Sequence, residues 1–467
     1  MLFLSAMASS HATAADLHVD CSKVIGTIRP LHGSNCGPLQ CGGLLDLSSY
    51  HRELALPYSR LHDCHWPNPD VVDLHVVFPN PSADPALPGS YDFSRTDEYL
   101  QAIDAVGTKI VYRLGESIEH TKKKYHVHPP ADYDRWAAAC LGIIRHYNEG
   151  FANGFHLNIR HWEIWNEPEN RPNMWTGSDE DYFRLYEVTA KAIKAHDPTL
   201  KVGGPSLGYT GRITAGQFEP SPFFLAFLNY CKQKSLPLDF FSWHLYTADP
   251  SECMIRARGI RHVLDRHGFA KTELHFNEWN YLPGNDWTPM GSEGQGLPRE
   301  RFYDQIGGAP GAAFSACVLM NLQDTPVDVA NYYMADNQGF GMFSANGVPQ
   351  KSFYALKAFR MLLNTPLRLE TRGTQPADLA LCAGTNPAKS EVGILVSNFK
   401  SSQDQFRLTL HNFPWTGPTR CEVYVVDATH ELVKTQQNQL PPSEQTLPLD
   451  LKAPSLCFVK LSRLTNP

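Results

Sequence analysis

The chain has 467 residues, 42% of them hydrophobic and 19% charged, an ordinary globular balance and too long for one small core. Its formal charge of −7 comes without any basic run, which argues against a nucleic-acid surface. Past the first residues no apolar stretch approaches the length needed to cross a bilayer, so no membrane partner is expected.

The opening residues, MLFLSAMASSHATAA, join a short apolar run to the small-residue pattern Ala12-Thr13-Ala14. They read as a secretory leader over residues 1–15, although the usual basic start is missing, and a secreted or periplasmic protein is expected. Residues 16–30 contain a strand-like segment that is a candidate to join a terminal β-sandwich. From 31 to 363, short β-branched or apolar runs alternate with longer helical patterns, the signature of parallel strands linked by crossover helices. The strand candidates are residues 31–35, 58–63, 109–116, 159–167, 201–206, 240–246, 273–279 and 329–333. The helix candidates between them include DEYLQAIDAVG, ADYDRWAAACLGIIRHYNEG and DEDYFRLYEVTAKAIKAHDP. In the last of these, acidic residues Asp179, Glu180 and Asp181 open the helix and Asp197-Pro198 closes it. Eight such units predict an α/β fold, a (β/α)8 TIM barrel. From about 364 the strands LALCAG, EVGILVSNF, FRLTLHNF, CEVYVVDA and LCFVKLSR follow one another without helices, which predicts an accessory C-terminal β-sandwich. Eleven cysteines are spread over the chain, a pattern of mostly buried free thiols, with Cys36 and Cys41 the best-placed pair for a local bridge.

In a (β/α)8 barrel the cavity lies at the carboxyl ends of the strands, so polar residues there carry the functional signal. Glu167, in WEIWNEPEN, ends the fourth strand candidate, and Glu278, in HFNEWN, ends the seventh, 111 residues later. Three βα units between them place the two on opposite sides of the mouth. Paired carboxylates across a cavity are what glycoside hydrolysis requires. Glu163 and Glu169 of the same stretch are left out of this mechanism.

WNEP followed by a distant NEW resembles the retaining (β/α)8 glycosidases, and within them glycoside hydrolase family 39, which includes β-xylosidases and α-L-iduronidases. The likeness extends through SRLHDC, VYRLG, SWHLY and FGMFSANGVPQKSFYALKAF. It implies that Glu167 is the acid/base and Glu278 the nucleophile. It further implies that Asn166 donates to the sugar hydroxyl beside the anomeric carbon, that His244 and Tyr246 orient the nucleophile, and that His62 contacts substrate. His244 and Tyr246 lie two apart on one strand and so share a face. Asp63, Arg113 and Glu116, also at strand ends, are further substrate-binding candidates, Arg113 as an ion-pair partner for a catalytic carboxylate or as a tie between strands. Trp165, Trp279 and Trp287 are candidate sugar-stacking faces, with Trp279 singled out for its place beside the proposed nucleophile.

Gly204-Pro205-Ser206-Leu207-Gly208 matches the serine-hydrolase G-x-S-x-G pattern, but a nucleophile elbow turns into a helix and YTGRITAGQFEP reads as a loop. Neither His62, Asp63, Cys64 and His65 nor His126 and His128 have helical metal-ligand spacing, and the hydrolysis needs no cofactor or metal. The expected function is therefore a retaining exo-glycosidase acting on an oligo- or polysaccharide and releasing a terminal neutral sugar: a β-xyloside, β-galactoside or β-glucoside. An α-L-glycosidase of iduronidase or arabinosidase type and a non-catalytic glycan-binding barrel are the alternatives. The long loops after the second and seventh strands, the latter carrying Trp287, are expected to wall the cleft.

Overall fold

The computed structural model describes residues 15–64, 71–337, 339–441 and 446–464. The expected leader lies outside these except for Ala15, and so does His65. The chain divides into two compact units, one of Arg29–Arg360 and one that joins the N-terminal segment up to Ile28 to the chain from Met361 onward.

In the first unit eight parallel strands close into a barrel. They are β1 (Gly33–Asn35), β2 (Tyr58–Leu61), β3 (Lys109–Leu114), β4 (His161–Ile164), β5 (Lys201–Leu207), β6 (Phe240–Thr247), β7 (Glu273–Tyr281) and β8 (Val329–Tyr332). Closure comes from β8 pairing with β1, Asn331 opposite Gly33 and Tyr332 opposite Ser34. Each of the eight expected strands is found; β2, β3, β4 and β8 stop short of the expected end, while β5, β6 and β7 run past it. In β4 the reason is local: Trp165 and Glu167 take φ of 70° and 43°, which an extended strand cannot hold.

Helices follow the strands and bury one face against them. The helix Asp179–His196 begins in a capping box, Ser178 and Asp181 each bonding the other's backbone N–H, and buries Tyr182, Phe183, Leu185, Tyr186, Thr189, Ala190 and Ile193 at helical spacing. The stretch after β5 that reads as a loop is a short antiparallel hairpin, Gly211–Thr214 with Gln217–Pro220. The chain thus leaves β5 into a hairpin and not into a helix, and the nucleophile-elbow reading of Ser206 has no structural basis.

Two irregularities in the barrel ladder matter for the site. Along the β5–β6 pair, Ser242 faces Pro205 and Trp243 faces Leu207, so Ser206 is bulged out of register. Along β6–β7, Trp243 faces Phe276 and His244 faces Glu278, so Asn277 is bulged in the same way. A bulge breaks the two-residue alternation of a strand, and consecutive side chains can then share a face.

The second unit is one nine-stranded sheet whose strands all feed a single core, the arrangement of a β-sandwich. Its N-terminal strand Ala15–Thr27 lies between Leu367–Arg372, antiparallel, and Gln405–His411, parallel. Leu17 and Val19 of that strand share the core with Leu369, Phe406, Val423 and Leu447. Strands Leu367–Arg372, Glu431–Leu440 and Thr446–Asp450 were not expected from the pattern; in Glu431–Leu440 most side chains are exposed, so no apolar alternation marks it. All eleven cysteines are free, ten buried and Cys41 exposed. The best-placed pair, Cys36 and Cys41, is not bridged; the Cys36 thiol turns to the carbonyl of His62 and to Met334. Among the described residues no helix is long and apolar enough to cross a membrane.

Candidate active site

At the carboxyl ends of the strands the barrel interior is polar, and it is organised around Arg60 of β2. Its guanidinium is fully buried. Nε donates to Glu163 Oε2 at 2.7 Å, Nη1 to Glu278 Oε2 at 3.0 Å and to Asn35 Oδ1 at 3.2 Å. Nη2 donates to Asn166 Oδ1 at 2.5 Å and to Ser206 Oγ at 2.7 Å. A buried cation costs little only when it is paired and its donors are used, and here two carboxylates and three neutral acceptors meet that requirement. Glu163 is tied a second time, by Asn277 Nδ2 at 2.6 Å. The same amide also donates to Ser206 Oγ at 3.0 Å, so both bulged residues turn into this network.

Glu167 and Glu278 face each other above it, and oxygens of the two carboxyls lie within 4.8 Å. Their surroundings differ. Glu278 is buried and accepts the Tyr246 hydroxyl at 2.6 Å as well as Arg60. Glu167, with 16% of its side chain exposed, meets Asn170 Nδ2 at 2.8 Å and His244 Nδ1 at 2.7 Å, both neutral. Burial lifts both carboxyls above the ordinary range, and for Glu278 the Arg60 cation pulls back down. The cationic donor on Glu278 makes it the one to ionise first, leaving the shared proton on Glu167. Burial pushes His244 down to about 4, so its ring is neutral beside them. Its Nε2 lies 2.7 Å from Ser206 Oγ and 3.5 Å from Glu278 Oε2, so the ring touches Glu167 more closely than Glu278.

The backbone pays locally for this convergence. Asp63, Trp165, Glu167 and Ser206, all at strand ends, have φ between 43° and 70°. Left-handed non-glycine residues cost on the order of 1 kcal/mol each and persist where surrounding bonds hold them. Gly208 is needed for a different reason: a Cβ there would sit 2.4 Å from Glu167 Oε1.

A cleft of about 670 Å³ opens above the pair. His62 and Asp63 line one part; Asp63 accepts the Tyr333 hydroxyl at 3.0 Å and the Ile118 N–H at 3.1 Å, and burial pushes its carboxyl up to about 6. Tyr246, Trp287, Phe340 and Tyr333 form an aromatic wall, with Trp287 edge-on to Tyr246 at 5.1 Å. Because Arg60 and Ser206 occupy the carbonyl side of Asn166, its amide N–H groups are the part left for a ligand.

Of the residues expected at the site, Glu167, Glu278, Asn166, His62, Asp63, Tyr246 and Trp287 line the cleft, and His244 lies beneath it. Three do not reach it. Trp279 is 1% exposed and packs edge-on to Tyr332; strand alternation turns it away from Glu278. Arg113 is buried against Asp73 at 2.5 Å, and its guanidinium bonds Ser117, not a catalytic carboxylate. Glu116 lies in a separate cavity and bonds His75 at 2.5 Å, with His126 stacked on that ring. Trp165 is likewise core, its indole N–H donating to the Met174 carbonyl at 2.8 Å and its ring edge-on to Trp175. Reading from sequence missed Arg60, Glu163, Ser206, Asn277 and Glu169. Arg60 carried a signal, being two residues before His62 on one strand; Ser206 and Asn277 carried none, because their direction follows from the bulges.

Among the described residues three groups bring potential metal-ligand atoms within 4.8 Å: Glu167, His244 and Glu278; Asp73, His75 and Glu116; and His161, Glu273 and His275. In the first, Arg60 and Tyr246 already occupy Glu278 and Asn170 occupies Glu167, an arrangement suited to proton transfer.

Two carboxyls with oxygens within 4.8 Å across the mouth of a (β/α)8 barrel are an arrangement that glycoside hydrolysis can use. A family model described as glycosyl hydrolases family 39 matches residues 53–291, and the chain belongs to that family. Similar curated proteins include a β-xylosidase of Geobacillus stearothermophilus, 28% identical over 51% of this chain and 48% of its own, and a β-xylosidase of Caldicellulosiruptor saccharolyticus, 26% identical over 69% and 66%. The chain thus spans about half the length of the first and 66% of the second. Among solved structures, a glucosidase from Croceicoccus marinus superposes with a TM-score of 0.80 at 25% identity, covering 97% of this chain and 100% of its own. A monomeric β-xylosidase from Caulobacter crescentus shares the fold, with a TM-score of 0.72 at 17% identity over the same shares.

Proposed function

We propose that the protein is a retaining exo-glycosidase that removes a terminal neutral sugar, a β-xyloside or a related β-glucoside or β-galactoside, from an oligo- or polysaccharide. The observation that carries this is the separation of Glu167 and Glu278, within 4.8 Å. Inverting enzymes hold their carboxyls about 6.5–9.5 Å apart to admit a water between them, and retaining ones about 5–5.5 Å. In the first step ionised Glu278 attacks the anomeric carbon while Glu167 gives its proton to the leaving oxygen. In the second, Glu167, now a carboxylate and the more exposed of the two, takes a proton from water as that water displaces Glu278. Asn166 offers its N–H groups to the hydroxyl beside the anomeric carbon. The choice of a neutral sugar is supported by a cleft lining without Lys or Arg among the described residues, since a uronate needs a cation. The β-xylosidases among the relatives favour a pentose. Export through a cleaved leader is part of the same proposal, and N-terminal sequencing of the mature protein tests it.

A panel of p-nitrophenyl glycosides decides the matter: turnover is expected for the β-xyloside or a neutral β-hexoside, and turnover of none by folded protein overturns the hydrolase reading. Product anomers followed by NMR must keep their configuration; an inverted product rejects the double displacement. Glu278→Ala separates enzyme from lectin, because an enzyme loses turnover whereas a glycan-binding barrel never had it and keeps its binding.

A further inference from the structure

The cleft holds a third carboxyl that the double displacement does not use. Glu169 lines it two residues beyond Glu167. Its Oε1 accepts the backbone N–H of Tyr209 at 2.8 Å, while Oε2 is buried with no hydrogen-bond partner among the described residues. Burial is the main cause that pushes this carboxyl up to about 8, so it is a neutral acid at pH 7. A buried oxygen without a partner is costly, and a ligand that supplies the partner recovers that cost.

Its position says which part of a ligand that is. Glu167 protonates the leaving oxygen, so the groups flanking Glu167 face the leaving group. Glu169 is on that flank: Tyr209, which binds Oε1, follows Gly208, whose added Cβ would lie 2.4 Å from Glu167 Oε1. The neighbouring amide of Asn170 is already spent on Glu167 Oε2. The aromatic wall is on the other side, where Tyr246 bonds Glu278 and meets Trp287. Glu169 Oε2 is therefore a buried polar atom at the leaving-group side that lacks a partner among the described residues.

We propose that Glu169 is a leaving-group specificity residue, its free Oε2 hydrogen-bonding a hydroxyl of the departing unit, so that the site is built for a sugar as leaving group rather than an aryl or alkyl aglycone. This rests on the glycosidase reading above. The test compares Glu169→Leu and Glu169→Gln on two substrates of the same terminal sugar, the p-nitrophenyl glycoside and the β-linked disaccharide. Glu169→Leu is expected to lower kcat/KM for the disaccharide about tenfold or more while the aryl glycoside changes less than about threefold, the loss of one hydrogen bond. Glu169→Gln, which keeps an acceptor for Tyr209 and a donor for the substrate, restores the disaccharide rate to within about threefold of wild type. Equal losses on both substrates overturn the proposal, because Glu169 then acts through Glu167 or through folding; unchanged disaccharide turnover overturns it as well. Wild-type protein inactive on both substrates instead rejects the glycosidase reading, and this inference falls with it.

Discussion

The hydroxyl of Tyr246 donates to Glu278 at 2.6 Å, which makes it a single-atom probe of the proposed nucleophile. A hydrogen bond to a charged group is worth about 1.5–3 kcal/mol, so Tyr246→Phe should lower kcat/KM by roughly tenfold to a hundredfold with the thermal midpoint nearly unchanged. The pH dependence follows from the same neighbourhood. In the proposed mechanism Glu278 is protonated below its pKa and Glu167 loses its proton above its own, so kcat/KM is expected to rise and then fall with pH. Because burial raises both carboxyls, the bell is expected to lie above the pH at which two ordinary carboxylates titrate. His244, held near pKa 4, contributes neither limb between pH 5 and 8. Measuring kcat/KM across that range for wild type and for Glu167→Gln checks the assignment: the alkaline limb must disappear in the variant, and its persistence assigns that limb elsewhere. At this scale the carboxylates were legible, since Asn166, Glu167 and Glu278 sit at strand ends. Their partners were not: Glu163, left out of the mechanism on sequence, is one of the two carboxylates that hold Arg60.

Strand ends and the loops that leave them set how far the residues can converge. The bulges at Ser206 and Asn277 place two polar groups where alternation would put none, and both bond within the Arg60 network. Gly208, just past β5, leaves the space that Glu167 occupies. Gly208→Ala should therefore push the proposed acid/base Glu167 aside and reduce kcat/KM by about a hundredfold, in line with the cost of a 1 Å misplacement. Azide rescue of the deglycosylation step distinguishes this displacement from global loss of structure, because a folded variant with a misplaced base is reactivated and an unfolded one is not. Capping and periodicity predicted the helix Asp179–His196 correctly because both are local. The hairpin after β5 escaped notice because its turn residues and mixed polarity resemble a loop.

Across the whole molecule, the N-terminal strand completes a sheet whose other strands begin more than 300 residues later. Val19 pairs with Thr371 on one side and Leu410 on the other. Leu17→Ala, at a fully buried position in that core, is expected to destabilise the second unit by about 2–5 kcal/mol, read as a lowered transition in calorimetry. A shift below 1 kcal/mol would mean that the strand contributes little to that core. The sequence by itself determined the order of the eight barrel strands, the barrel class and the two carboxylates at its mouth, because alternation, helix capping and strand-end position are properties of short segments. Only the tertiary structure decided which charges pair and which tryptophans reach the cleft. A bulge reverses side-chain direction without marking the sequence, and barrel closure joins Arg60 to Glu278 across 218 residues of chain.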